Sequence, residues 1–318
     1  LGHERYIHRG FIVLVTTVIA LLAAALFGVS TALQHRSAGL VSEAHQGSDR
    51  VSAFIARVLR HPLWIIGAIA DIGGFVLHAL ALSLGPLTVV QPLLVSSIVF
   101  SVVLRELLER RWPRRSELVW ATALTIGLVM FLTISAPSGR LPQPADPVPA
   151  AVVGVLIMVG VLGALAGSRR YRGGTAAALL GTATGLLYAA VAGLLKQDMT
   201  LLARGVGALA TSWALYALVA VGAFSIVVNQ LAYRAGPLSS SLPTIMTVDA
   251  LVSLLIGASV FDEGFHNGAV DLLGEAVGLA LMLVAAVGLS RSGPGPASVR
   301  EQRTATVARR APLQVLAQ

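Results

Sequence analysis

Apolar residues fall into nine runs along this chain, each about as long as the roughly 20 residues that cross a bilayer's hydrocarbon core. They cover about 11–34, 62–84, 86–106, 117–135, 148–166, 175–195, 209–230, 237–260 and 271–290, with short polar breaks between them. Each run predicts a membrane-spanning helix. Residues 49–60 have a different pattern: Val51, Phe54, Ile55, Val58 and Leu59 share one helical face, with Arg50, Arg57 and Arg60 opposite. That periodicity predicts an amphipathic helix on the cytoplasmic leaflet, linking the first two spans. The first run ends on Gln34 and His35 with no small-residue cleavage site before a soluble domain, so it reads as a retained helix. Residues 141–147 read as a linker, and 291–318, rich in Arg, Pro, Ser and Ala, as a disordered basic tail.

Two of the breaks are copies of each other. Leu80 to Pro92 and Leu231 to Pro243 align without a gap at an offset of 151, and six of the thirteen positions match. Composition alone would give about one match. In each copy a glycine (Gly85, Gly236) ends one helix and a proline (Pro86, Pro237) opens the next, where its missing N–H costs nothing. A second proline follows six residues later (Pro92, Pro243), and it predicts a kink that frees the carbonyl of Thr88 or Ser239. The same offset pairs Gly127-Leu128 with Gly278-Leu279, and Leu26-Phe27 resembles Leu187-Tyr188 at another offset. The copies lie five spans apart, and an odd number of crossings reverses direction. The expected fold is therefore an all-α polytopic membrane protein with nine transmembrane helices: two inverted four-helix repeats and one unpaired helix, the fifth. Residues 1–140 form the first repeat, and 148–290 hold the fifth helix and the second repeat.

Composition supports lipid as the solvent. The chain is 56% hydrophobic and 12% charged, where soluble domains carry about 25% charged residues. It has no cysteine, which excludes disulfides and thiolate chemistry. Its net charge of +8 sits in loops between spans, which points to anionic lipid head groups and not to nucleic acid. Of the 23 basic residues, 18 fall on one side of the nine-span arrangement and five (Arg5, Arg9, Arg140, Lys196, Arg204) on the other. The larger group marks the cytoplasm. The amino terminus is then outside and the carboxyl tail inside, and the dominance of Arg over the single lysine, Lys196, hints at a bacterial plasma membrane. No phosphate-binding loop, zinc-protease motif or nucleophile elbow occurs. The chain is expected not to be an enzyme and to need no cofactor.

Ionisable groups in mid-span are costly and ask for a reason. Asp71 and Asp249 lie near the middle of the second and eighth runs, where they could bind a cation or carry a proton; the alternative is a helix-to-helix hydrogen bond. Glu275 lies close enough to a span end for solvation. His78 and Asn229 are equivalent at the 151 offset, which suggests one pseudosymmetric polar site, and Gln91 precedes Pro92 while Leu242 fills its place in the repeat. Thr244 adds a hydroxyl beside Asp249. Gln34 closes the first helix and Lys196 stands late in the sixth, where its ammonium could snorkel to head groups. Gly181/Gly185 and Gly274/Gly278 have the spacing at which helices touch.

These residues resemble the drug/metabolite transporter (DMT, EamA-like) superfamily, whose repeated signature is the helix end, Gly-Pro turn and in-helix proline seen at Leu80–Pro92 and Leu231–Pro243. The span count, the polar end of helix 1 (Gln34-His35-Arg36) and Lys196 resemble its NIPA-like branch. That resemblance implies magnesium transport, although the branch's acidic residue in the second helix aligns with Phe75, one turn from Asp71; Asp71 and Asp249, with Gln91 and Asn229, are the candidate oxygen ligands for such a metal. Inverted repeats with interrupted helices imply a secondary transporter of a small solute, a cation being favoured by the two acids. An exporter or flippase of amphipathic drugs, metabolites or lipids is the alternative, and a non-transporting scaffold the third reading.

Overall fold

The computed structural model describes residues 2–44, 51–108, 112, 114–134, 145–236, 238–263 and 269–291. Every regular element among them is an α-helix: α1 (Gly2–Ala44), α2 (Val51–Leu59), α3 (Pro62–Leu84), α4 (Leu87–Val95), α5 (Ser97–Leu108), α6 (Arg115–Ile134), α7 (Pro147–Ser168), α8 (Gly174–Leu202), α9 (Val206–Ala210), α10 (Trp213–Ala235), α11 (Leu238–Val260) and α12 (Ala269–Arg291). Pro237, most of the expected linker and the expected tail beyond Arg291 lie outside the described residues.

Local chemistry sets where several helices begin. His61 caps α3, its ring nitrogen accepting from the Leu63 N–H at 3.3 Å, with Pro62 at the first helical position. Asp146 does the same for α7 through Val148, again ahead of a proline, and Ser212 caps α10 through Ala214. Each cap satisfies an N–H with no partner inside its helix.

Eight helical spans among the described residues are long and apolar enough to cross a membrane; they lie in α1, α3, α4 with α5, α7, α8, α10, α11 and α12. The remaining expected run, 117–135, corresponds to α6, 20 residues long, which is not among those eight. The α4–α5 span is the centre of the bundle, 78% buried, and α7 is its rim, at 11%. On α7 only Ile157, Val161 and Ala164 turn inward, leaving an apolar surface suited to lipid.

The two in-helix prolines sit in different settings. Pro92 sits inside α4, and the helix breaks one turn later at Ser96, whose N–H bonds Leu93 O at 3.1 Å and whose hydroxyl returns to the same carbonyl at 2.7 Å. A serine competing for the local carbonyl ends the helix where the proline ring only weakens it. In the second copy, α11 runs without interruption through Pro243.

Packing echoes the repeat. α1 lies along α3 and α4–α5, as α8 lies along α10 and α11, while α6 packs on α12. A Cβ built on Gly28 would meet Ser97 O, Phe100 Cβ and Ser101 N; one on Gly185 would meet Ile245 O, Val248 Cβ and Asp249 N. Both glycines meet the carbonyl, Cβ and N–H at the same relative positions on the neighbouring helix. Gly127 and Gly278, paired by the 151 offset, face one another, a Cβ on Gly127 standing 2.9 Å from the Gly278 carbonyl.

The two glycine corners mark opposite ends of the bundle. Gly85 O accepts from Lys196 Nζ, late in α8, at 3.4 Å. A Cβ on Gly236 would lie 3.0 Å from the carbonyl of Gly173, the residue before α8. Between those points runs roughly 33 Å of helix.

The amphipathic helix α2 corrects an expectation. Phe54 and Val58 do not face a leaflet; they are buried among Ala38, Val41, Tyr233 and Ile245 at the Gly236 end. The Arg234 guanidinium stands 4.8 Å from the Phe54 ring centroid. An apolar stripe is buried wherever the nearest apolar surface lies, and here that surface is the mouth of the bundle.

Candidate functional site

Asp71 is the end point of a chain of donors. On α10, Gln230 Nε2 donates to Gln34 Oε1 on α1 at 2.9 Å; Gln34 Nε2 then donates to Ser30 Oγ at 2.8 Å. Ser30 is in turn the hydrogen-bonding neighbour of Asp71 on α3. Because the Ser30 oxygen already accepts, its one hydrogen is left for the carboxylate. All the donors in the relay therefore point toward Asp71. Gly67 leaves room for it, since a Cβ there would press 3.1 Å from Gln34 Cγ and 3.3 Å from the Ser30 carbonyl.

Asp249 approaches the same region from α11. Its Oδ1 accepts from Ser253 Oγ at 3.2 Å, and its backbone lies against Gly185 of α8. One turn along α8 from that contact is Tyr188, whose phenol has Asp71, Asp249 and Tyr233 as its electrostatic neighbours. The phenol of Tyr233 has Asn229, Thr31 and Asp71 around it, and the His35 ring meets it edge-on at 5.5 Å. One acid from each half of the chain is thus an electrostatic neighbour of a phenol on α8. Of the expected site residues, the structure brings together Asp71, Asp249, Asn229 and Gln34.

Others go elsewhere. His78 and Asn229 have different partners: His78 pairs with Gln91 Nε2 at 3.3 Å and packs edge-on against Phe27, while Asn229 serves Tyr233. The Thr244 hydroxyl returns to Ser240 O within its own helix. Glu275 is buried, not solvated. Among the described residues no three His, Asp or Glu side chains gather as metal ligands would.

Lys196 corrects a further expectation. Its ammonium does not reach the head groups but is buried in an ion pair with Glu263, with Gly85 O as a further acceptor and the Phe261 ring 5.5 Å away. Glu263 also accepts from the N–H groups of Leu87 and Thr88, both at 2.9 Å. These are the unpaired donors that open α4 behind Pro86. Gly257 makes the approach possible, because a Cβ there would stand 2.8 Å from Thr88 Cγ2 and 2.5 Å from Glu263 Oε2. Asp262 turns the chain with a φ of 50°. One carboxylate therefore ties α8, α11 and the Gly85 corner together. Sequence reasoning missed Glu263, Tyr188, Tyr233 and Gln230. For Glu263 a signal existed: a buried helix start after Gly-Pro needs an acceptor for two N–H groups.

The fold and these buried polar groups define an all-helical, multi-pass membrane protein. Over 288 residues the chain is 30% identical to a protein of Corynebacterium glutamicum described as uncharacterised, a match covering 89% of this chain and 97% of that one. The chain belongs to the same family as that protein. No model of a known protein family matches it, and no solved structure does.

Proposed function

We propose that the protein is a secondary transporter of a small cation, working by alternating access between two inverted four-helix repeats. The observation that carries this reading is that one carboxylate from each half, Asp71 and Asp249, lies in the electrostatic neighbourhood of Tyr188. The opposed Gly85 and Gly236 corners support the inversion, and α6 supplies the ninth crossing. The Lys196–Glu263 clasp closes the Gly85 end, and α2 covers the Gly236 end. On the reading that places the amino terminus outside, the Gly85 end faces out and the Gly236 end faces the cytoplasm of a bacterial cell. The likeness to the DMT superfamily and its NIPA-like branch agrees with this and puts Mg²⁺ among the cations to test.

Purified protein in proteoliposomes tests the function. Cation flux is expected to fall at least about tenfold in Asp71→Asn and in Asp249→Asn, the loss of a charge-assisted contact being worth a factor of that order or more. Flux that survives both substitutions together sinks the carboxylate mechanism.

The topology has its own test, which the absence of cysteine makes clean. A cysteine at exposed Arg204 is expected to react with an impermeant maleimide in intact cells. One at exposed Tyr171, at the other end of α8, is expected to react only after permeabilisation. Labelling of both from the same side would contradict the arrangement.

A further inference from the structure

We infer that the cluster around Tyr188 recognises a primary ammonium group, so that the cation is an organic amine; this rests on the transporter reading above. The inference comes from unmatched acceptors. Asn229 is 5% exposed and Gln230 fully buried, yet Asn229 Oδ1 and Gln230 Oε1 have no hydrogen-bond partner among the described residues. Their amide nitrogens are committed, Gln230 Nε2 to Gln34 and the Asn229 amide to the Tyr233 phenol. Buried polar atoms are normally paired, and two bare acceptors on adjacent residues call for a donor from outside the chain. Asn229 reaches the site through Tyr233, which has Asp71 beside it.

Arg105, an electrostatic neighbour of His35, is already held by Glu106 at 3.1 Å and Glu117 at 2.9 Å. What the cluster offers is two carboxylates in the electrostatic neighbourhood of Tyr188, the bare oxygens of Asn229 and Gln230, and two phenol rings. An alkylammonium ion matches that set. Its three N–H groups need three acceptors, its charge suits Asp71 and Asp249, and its positive head and carbon chain suit tyrosine faces. A tetra-alkylated ammonium has no hydrogen for the bare oxygens. A magnesium ion needs near-octahedral oxygen ligation and holds its waters, and no three His, Asp or Glu side chains among the described residues gather as metal ligands would.

The test uses the full chain in lipid nanodiscs with n-butylammonium, tetramethylammonium and Mg²⁺ as probes, read by calorimetry and by the shift in melting temperature. n-Butylammonium is expected to bind saturably and at least about tenfold more tightly than tetramethylammonium. Asn229→Leu is expected to weaken it about tenfold, the effect of one lost hydrogen bond to a charged group. Asn229→Asp, which keeps the acceptor, is expected to retain it, so a misfolded leucine variant leaves the question decidable. Equal binding of the two ammonium ions, no n-butylammonium binding, or no change in Asn229→Leu overturns the inference. Mg²⁺ flux that depends on Asp71 and Asp249, without amine binding, overturns it while leaving the transporter reading standing. Amine binding with the expected selectivity but no flux of any cation supports the site and removes transport instead.

Discussion

Replacing Lys196 by Met, with Glu263 kept, is expected to destabilise the protein by about 3–5 kcal/mol, among the largest effects available to a single side chain here. The side chains of Lys196 and Glu263 are only 4% and 9% exposed, so removing the ammonium strands a carboxylate away from water. An exposed pair would cost no more than about 1 kcal/mol. Glu263→Gln tests the other side: the amide oxygen can still accept from Leu87 or Thr88, but the lysine is left with Gly85 O and the Phe261 ring. The double variant Lys196→Met/Glu263→Gln removes both charges and is expected to recover most of the loss. Equilibrium unfolding in detergent micelles across this cycle measures the coupling. A coupling under about 1 kcal/mol would show that the pair is solvated and that the Gly85 corner is held by something else.

That clasp also shows how legibility divides between fold and site. The spans could be read because lipid exposure makes the apolar pattern nearly continuous, and only short stretches such as His61-Pro62 or Asp146-Pro147 interrupt it with caps. Asp71, Asp249 and Gln34 stood out because a polar side chain in such a run is costly to bury and needs a partner. The partners themselves did not stand out. Glu263 meets the α4 start across 175 residues of sequence, and an acid just past a span end looks like an ordinary solvated residue. Tyr188 and Tyr233 look like common membrane aromatics until the tertiary packing puts carboxylates beside them. For α2, periodicity gave an apolar stripe but could not say whether lipid or Tyr233 would cover it. The end of α4 at Ser96 was not legible, because the proline effect is local and generic, while the Ser96 hydroxyl bonds the Leu93 carbonyl where the helix ends.

Gly185 carries the second large effect. A methyl group there would stand 2.7 Å from the Ile245 carbonyl, 2.9 Å from Val248 Cβ and 3.1 Å from Asp249 N, and two of those three atoms belong to the α11 backbone. Side chains can rotate away from such a contact, but a helix backbone must shift as a whole. Gly185→Ala is therefore expected to cost about 1–3 kcal/mol, as overpacking does in a close-packed core, and Gly185→Val more. Gly163 and Gly222, with nothing within 4 Å of a built Cβ, serve as controls: alanine there is expected to be neutral or to stabilise by up to about 1 kcal/mol. Unfolding midpoints for the three alanine variants decide the matter, and equal midpoints would mean that α8 and α11 do not touch as described. Function should separate as well. Pushing α11 away at Asp249 N moves that carboxylate from Tyr188, so any folded Gly185→Ala protein is expected to lose cation flux while Gly163→Ala keeps it. Gly28→Ala, which makes the matching contact between α1 and α5, is expected to destabilise to a similar extent, because the fold uses the same glycine-on-backbone approach in each half.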